Sequence, residues 1–359
     1  MGAVMEFEDF TVCYRRLKYK IDRAFPLELG LEKGVRQKLL KQRETFLLDR
    51  ILKNRQVKTP DARLERFAST IFLVGHWSCH EGKAPKDSAR VINLMDEDLV
   101  SLEIENLAEI RQQRLSNFYY AVGNFKAAVE IELRSHKPDL YRLGVAAFED
   151  GNVEFALSVL NRLDDERSKL QQLKIARLRG DQKRATQLIE SLLPKESPLK
   201  AEVEWERGLL ELSRGQGACD HLISLIQEKF SIYGKNPSYV LEGYLYSFCQ
   251  IERMESPLNV GIETIIKSRN ISTKRDFKDL WLWVKGLDAF FRNPHQDQVV
   301  IPDSLLRVFF KNFDGLDVLP IEKRLLFLKS SMIVFKEGYP LILGLVSSKY
   351  RALRASLCE

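Results

Sequence analysis

Along this chain, apolar residues recur at intervals of three and four rather than alternating. Phe7, Phe10, Tyr14, Leu17, Ile21 and Ala24 form a narrow seam of this kind, the spacing of one helix face. The other face of the same helix carries Arg15, Arg16, Lys18, Lys20 and Arg23. A second helix is predicted from about Leu31 to Arg55, with Leu39, Leu40, Phe46, Leu47 and Ile51 apolar. Pro60 and Asp61 suit the start of a third, which ends near Trp77. The stretch from Ser78 to Asp87, with Gly82 and Pro85, interrupts the pattern and marks a boundary or hinge. Long β-branched alternations are missing, so the expected fold class is all-α.

From about residue 115 the pattern becomes periodic. Three segments share a helix, a Gly turn, and a second helix with Ala at a fixed offset. The first runs from Leu115 through Tyr119 and Gly123-Asn124-Phe125 to Ala128. The second runs from Leu143-Gly144 through Gly151-Asn152 to Ala156, and the third through Gly180-Asp181 to Ala185. The turn glycines lie 28 and 29 residues apart. Gly at the end of the first helix supplies the positive φ that reverses the chain. The Asn or Asp after it can cap the next helix through its side chain. Ala at the fixed offset lets the paired helices approach closely. Ala156, Leu157, Val159, Leu160 and Leu163 form an apolar stripe, as do Ala185, Leu188, Ile189 and Leu192.

This arrangement resembles the tetratricopeptide repeat. With the turn Gly at the motif's fifteenth position, Leu115 and Leu143 fall at its seventh and Gly144 at its eighth. Tyr119 falls at its eleventh, Phe125 at its seventeenth, and Ala128, Ala156 and Ala185 at its twentieth. The spacing is shorter than the family's usual one, which implies second helices trimmed by a turn. The third unit has Gln182 in place of an aromatic, and none has the Trp near the start. A fourth unit in slipped register places Trp205, Gly208 and Leu209 before the turn Arg214-Gly215-Gln216-Gly217, followed by Ala218, Leu222, Ile223 and Leu225. The resemblance covers residues 105–230 and is specific to the superfamily. It implies an α-solenoid of helix-turn-helix pairs.

In tetratricopeptide proteins the first helix of each pair lines a concave groove. By position, the resemblance implies groove residues Gln113, Asn117 and Tyr120 in the first unit and Tyr141 and Phe148 in the second. The third contributes Arg167, Lys174 and Arg177, and the fourth Trp205. Asn117 matches the Asn that many such grooves set against a peptide backbone or terminal carboxylate. Gln113 stands where a Lys normally precedes it. Basic and aromatic groups together suit an acidic extended peptide or a carboxylate-bearing protein surface.

Beyond the repeats, helices at 238–253 and 277–292 carry Gly243 and Gly286 beside large apolar residues and read as more remote pairs. Pro320 sits where a helix can begin, and Leu325, Leu326, Leu328, Met332 and Ile333 supply its apolar faces. Gly338-Tyr339-Pro340 breaks the chain before a last helix from about Leu341 to Leu357, read as a cap on the stack. The organisation expected is a basic N-terminal helical segment at 1–82, tetratricopeptide-like repeats at 88–235, and degenerate repeats with a C-terminal cap at 236–359.

Charge adds one feature. Residues 1–58 hold 14 Lys or Arg against eight acids, so this segment carries the whole net charge of +6. Nucleic acid or an anionic surface is the alternative partner class that this block suggests, although it has no helix-turn-helix spacing or aromatic RNA-binding motif. Five scattered cysteines make a poor disulfide framework. Neither a membrane-length apolar run nor a basic leader stands in the sequence, which sets cytoplasmic residence as the expectation.

Chemistry is sparse. Phosphate-loop, dinucleotide, nucleophile-elbow, zincin and Cys-x-x-Cys patterns are all missing from the sequence. His76, Cys79, His80 and Glu81 are the one cluster of metal-ligand types, without a second pair at conventional spacing, and no metal or cofactor is assigned. Cys219-Asp220-His221 holds nucleophile-site residue types, but i and i+2 neighbours diverge around a helix. The expected function is therefore a non-enzymatic adaptor or regulator. A helical sensor of short peptides is the alternative within the same architecture.

Overall fold

The computed structural model describes residues 6–27, 33–53, 55, 59–78, 84–104, 106–193, 197–213 and 301–358, and positions 222, 225, 242, 243, 245, 246, 249, 280 and 282–287. All regular structure among these residues is helical. The Gly215-Gln216-Gly217 turn with Ala218 and Ile223, and most of 238–253 and 277–292, lie outside the described residues. The chain divides into two compact units, Met1–Pro138 and Asp139–Glu359, so the first Gly-turn hairpin belongs to one unit and the next two to the other.

The first unit contains α1 (Phe7–Ala24), α2 (Lys33–Lys53), α3 (Pro60–Ser78), α4 (Ser88–Leu102), α5 (Leu107–Ala121) and α6 (Phe125–Leu133). α3 is its centre and packs against α1, α2, α4 and α5. Its run from Phe67 to Val74 is buried nearly all round, as a helix surrounded by others requires. Phe67, Ile71 and Val74 meet Ile21, Leu47, Ile51, Val91 and Leu107 in one core. Each such side chain contributes roughly 1.5–3 kcal/mol on burial. The polar members are satisfied locally: Ser69 donates to the Glu65 carbonyl and Thr70 to that of Phe67. Arg66, also on α3, grips buried Asp98 on α4 with two parallel hydrogen bonds of 2.8 and 2.5 Å.

The second unit contains α7 (Leu140–Asp150), α8 (Val153–Leu160), α9 (Glu166–Arg179), α10 (Gln182–Leu192) and α11 (Lys200–Ser213). After these come α12 (Asp303–Asp314), a 3-10 turn at Leu316–Val318, α13 (Ile321–Val334) and α14 (Pro340–Cys358). α7 pairs with α8 and α9 with α10, while α9 also packs against both α7 and α11. The C-terminal half is held by an aromatic cluster in which Phe309 and Phe335 meet edge to face at 4.6 Å beside Trp283 and Phe327. The indole of Trp283 donates to Ser330, so its one polar atom is satisfied.

Three turns share one geometry. Gly123, Gly151 and Gly180 have φ of 75, 95 and 84°, the left-handed region that glycine enters without a Cβ clash. At each, the N–H of the following residue donates back to the helix, as Asn124 does to Tyr119, Asn152 to Ala147 and Asp181 to Ala176. The side chains of Asn124, Asn152 and Asp181 then accept from Ala127, Phe155 and Arg184, capping the next helix. Ala128, Ala156 and Ala185 are fully buried. Gly144 allows the closest approach: a Cβ there would lie 2.6 Å from Leu160 Cγ across the α7–α8 pair.

Candidate partner-binding face

The residues that the tetratricopeptide resemblance assigns to a groove are distributed over both units. Gln113, Asn117 and Tyr120 share one face of α5 in the first unit, with Gln113 exposed and the other two half-buried. The Tyr120 ring packs edge-on to Phe125 at 5.4 Å. The remaining six lie in the second unit, and burial separates them into two groups.

Phe148, Arg177 and Trp205 are 2, 7 and 1% exposed, so they face the interior. Trp205 joins Leu209 and Leu212 in the core that contains Trp283, Phe309 and Phe327. Arg177 sits at the hub of a charge network. Its Nε donates to Glu206 on α11 at 2.7 Å and its Nη2 to Glu322 on α13 at 2.5 Å. Its Nη1 donates to the Tyr246 hydroxyl, which itself donates to Glu322 at 2.6 Å. Lys174 lies 3.9 Å from Glu206, and Lys323 pairs with Glu242 at 3.5 Å. Three cations therefore face three carboxylates. On α9 and α11, the face that the resemblance offers to a visitor carries the chain's own C-terminal segment.

The electrostatics follow from that enclosure. Burial pulls the Arg177 guanidinium down, but Glu206 and Glu322 outweigh it and hold its pKa well above the ordinary value. Burial raises the Glu322 carboxyl, yet Arg177, Lys174 and the hydrogen bonds from Tyr246 and Arg177 bring it below the ordinary value. Tyr246 is pushed up by burial and by Glu322. Glu322 is thus held in its charged form, and its hydrogen bond with Arg177 anchors α13 to α9.

Tyr141, Arg167 and Lys174 form the other group. Arg167 is exposed, Tyr141 is half-buried, and the Lys174 side chain is 35% exposed. Burial raises the Tyr141 phenol, while Lys174 and Arg167 both act to lower it. Asp139 and Asp165, which also act on Tyr141, are occupied as helix caps accepting from Arg142 and Ser168. This corner of α7 and α9 is an aromatic flanked by two cations, one of them wholly at the surface.

Two further anchors complete the attachment of the C-terminal helices. Ile321 donates its backbone N–H to the buried Glu149 carboxylate at 2.6 Å, and Arg324 donates to the Glu149 carbonyl. Arg354 on α14 donates to the carbonyl of Leu178 in the last turn of α9. Glu206 lies on α11, in the unit of slipped register, so the interval between turn glycines does not point to it. Tyr246 and Glu322 stand 69 and 145 residues from Arg177, and no periodicity points to them.

The metal-type cluster resolves only in part. His76 is half-buried on α3, and Trp77 beside it is buried, donating to Glu44 and packing on Phe118. Cys79, His80 and Glu81 lie outside the described residues, as does Cys219-Asp220-His221. Among the described residues no three His, Cys, Asp or Glu side chains are grouped to hold a metal ion. Burial raises the Cys249 thiol to about 12. No helix among the described residues is long and apolar enough to cross a membrane. Comparison with family models, curated proteins and solved structures finds no match to the chain.

Proposed function

We propose that this chain is a non-enzymatic binding protein built on tetratricopeptide-like hairpins stacked as a solenoid. Its open corner at Tyr141, Arg167 and Lys174 takes an extended, carboxylate-bearing segment of a partner protein. The three uniform Gly–Asx turns, the short second helices α8 and α10, and the packing of α9 on both α7 and α11 support the stacked reading.

One observation carries the chemistry. The same row of α9 already binds carboxylates within the molecule, since Arg177 takes Glu206 and Glu322 one turn beyond Lys174. Arg167 continues that row to the surface, past Lys174, which stands 3.9 Å from Glu206 with its side chain 35% exposed, and Tyr141 supplies an apolar, hydrogen-bonding platform.

The test is anisotropy of a labelled Glu/Asp-rich peptide against wild type and the variant Arg167→Glu/Lys174→Glu, with a Lys-rich peptide as control. The proposal expects saturable binding of the acidic peptide and its loss by tenfold or more in the variant, about 1.4 kcal/mol. Equal binding by both proteins, with helical circular dichroism intact, would remove the assignment.

A further inference from the structure

A separate face of the first unit carries a charge imbalance that no ion pair among the described residues answers. On α1, Arg16, Tyr19, Lys20 and Arg23 follow one another at i, i+3, i+4 and i+7, so they form a single stripe about 10 Å long. All four are exposed, Tyr19 at 66%. With Ala24 they line a concavity of about 580 Å³.

Two of the acids on α1 are committed elsewhere. Asp9 accepts from the Glu6 backbone N–H at the start of the helix. Asp22, the one acid in the second half of α1, is held by Arg43 of α2, which also donates twice to the Phe25 carbonyl. None of Arg16, Lys20 and Arg23 lies in an ion pair with a described residue. Arg43 thus removes the acid and fixes the end of α1, and among the described residues the stripe's three cations stand without a paired acid beside an exposed aromatic.

We infer that the Arg16–Tyr19–Lys20–Arg23 stripe of α1 is a binding site for single-stranded nucleic acid. The three cations would neutralise phosphates while the Tyr19 ring stacks on a base. Stacking platforms between cations are the working parts of such sites, and only an unpaired strand offers a free base face. An anionic membrane fits less well. A helix that enters the interface needs a free apolar face, and on α1 that face is spent: Phe10, Leu17 and Ile21 are buried in the core with α3, Phe10 packing on Phe67 at 5.8 Å. This site is independent of the partner corner on α7 and α9.

The experiment titrates the full chain with a labelled oligo-uridylate of about 15 nucleotides, between about 50 and 200 mM salt. A duplex of equal length, poly-glutamate and phosphatidylserine vesicles form the comparison arms. Variants are Arg16→Glu/Lys20→Glu/Arg23→Glu, Tyr19→Ala, and a control, Arg162→Glu/Lys183→Glu, that reverses exposed cations in the second unit.

Wild type is expected to bind the single strand best, with a steep salt dependence. The triple reversal should flatten the log–log salt slope by about 2, from 0.7 per phosphate contact. Tyr19→Ala should weaken binding about fivefold or more, and the control should leave it within twofold. Lack of wild-type binding to the oligonucleotide overturns the inference. So does a preference for duplex, poly-glutamate or vesicles, or an equal loss in the control.

Discussion

Arg177 on α9 and Glu322 on α13 meet at 2.5 Å across 145 residues of sequence, and through them the C-terminal half of the second unit is fastened to its repeat-like half. Both side chains are largely buried, at 3 and 14% exposure. Removing one partner of a buried pair leaves the other charge without compensation, at a cost of about 3–5 kcal/mol. Glu322→Ala should therefore lower the unfolding free energy of the second unit in urea by that amount, and Arg177→Met/Glu322→Leu by distinctly less. A loss in the single variant no larger than in the double one would show that the pair does not hold the halves together.

The pH dependence of this region has two opposing components. Glu322 sits below its ordinary value of 4.5, so its contribution is present above that pH and is lost as pH falls. Glu149 is raised above 4.5 by burial, against the Ile321 hydrogen bond and Arg324, so its sign is the reverse. Its contribution is complete below 4.5 and is lost as pH climbs through its higher folded value. Glu149→Gln, which keeps an acceptor for Ile321, should therefore gain in melting temperature relative to wild type between pH 4.5 and 7. A constant difference across that range would contradict the assignment.

Gly144 and Leu160 should behave as a coupled pair. Gly144→Ala drives a Cβ to 2.6 Å from Leu160 Cγ, an overpacking that costs about 1–3 kcal/mol. Leu160→Ala alone opens a cavity at about 2–5 kcal/mol. Together the two changes should cost less than their sum by at least about 0.5 kcal/mol, and strict additivity in chemical denaturation would argue that α7 and α8 can move apart freely.

In the first unit, Asp98→Ala leaves Arg66 buried without its carboxylate. Arg66 is held above its ordinary pKa by the Asp98 hydrogen bonds, so it stays charged and the expected cost is about 3–5 kcal/mol. Asp98→Ala and Glu322→Ala should lower different transitions where the two units melt separately. Calorimetry of both variants checks this, and a shift confined to one common transition would contradict it.

Much of the helical order was legible. The Phe10–Leu17–Ile21 seam, the Pro60 start, the Pro320 boundary and the last helix follow from apolar spacing and from residues with fixed backbone preferences, which act locally. The Gly–Asx turns were legible for the same reason. Phe148 and Trp205 show where such reasoning stops. Their positions along the helices were readable, but not their burial, which for Trp205 depends on Trp283, Phe309 and Phe327 far along the chain. The resemblance placed Arg177 in a groove, and nothing near it in sequence announces Tyr246 or Glu322. The α1 stripe was legible as a basic face. That Asp22 is drawn off by Arg43 was not.

Backbone hydrogen exchange with and without saturating acidic peptide tests the partner-binding account most directly. The account predicts slowed exchange in residues 139–145 and 165–175, around Tyr141, Arg167 and Lys174, with α1 unchanged. Slowed exchange confined to α1 and α2, or none at all under saturation, would contradict it.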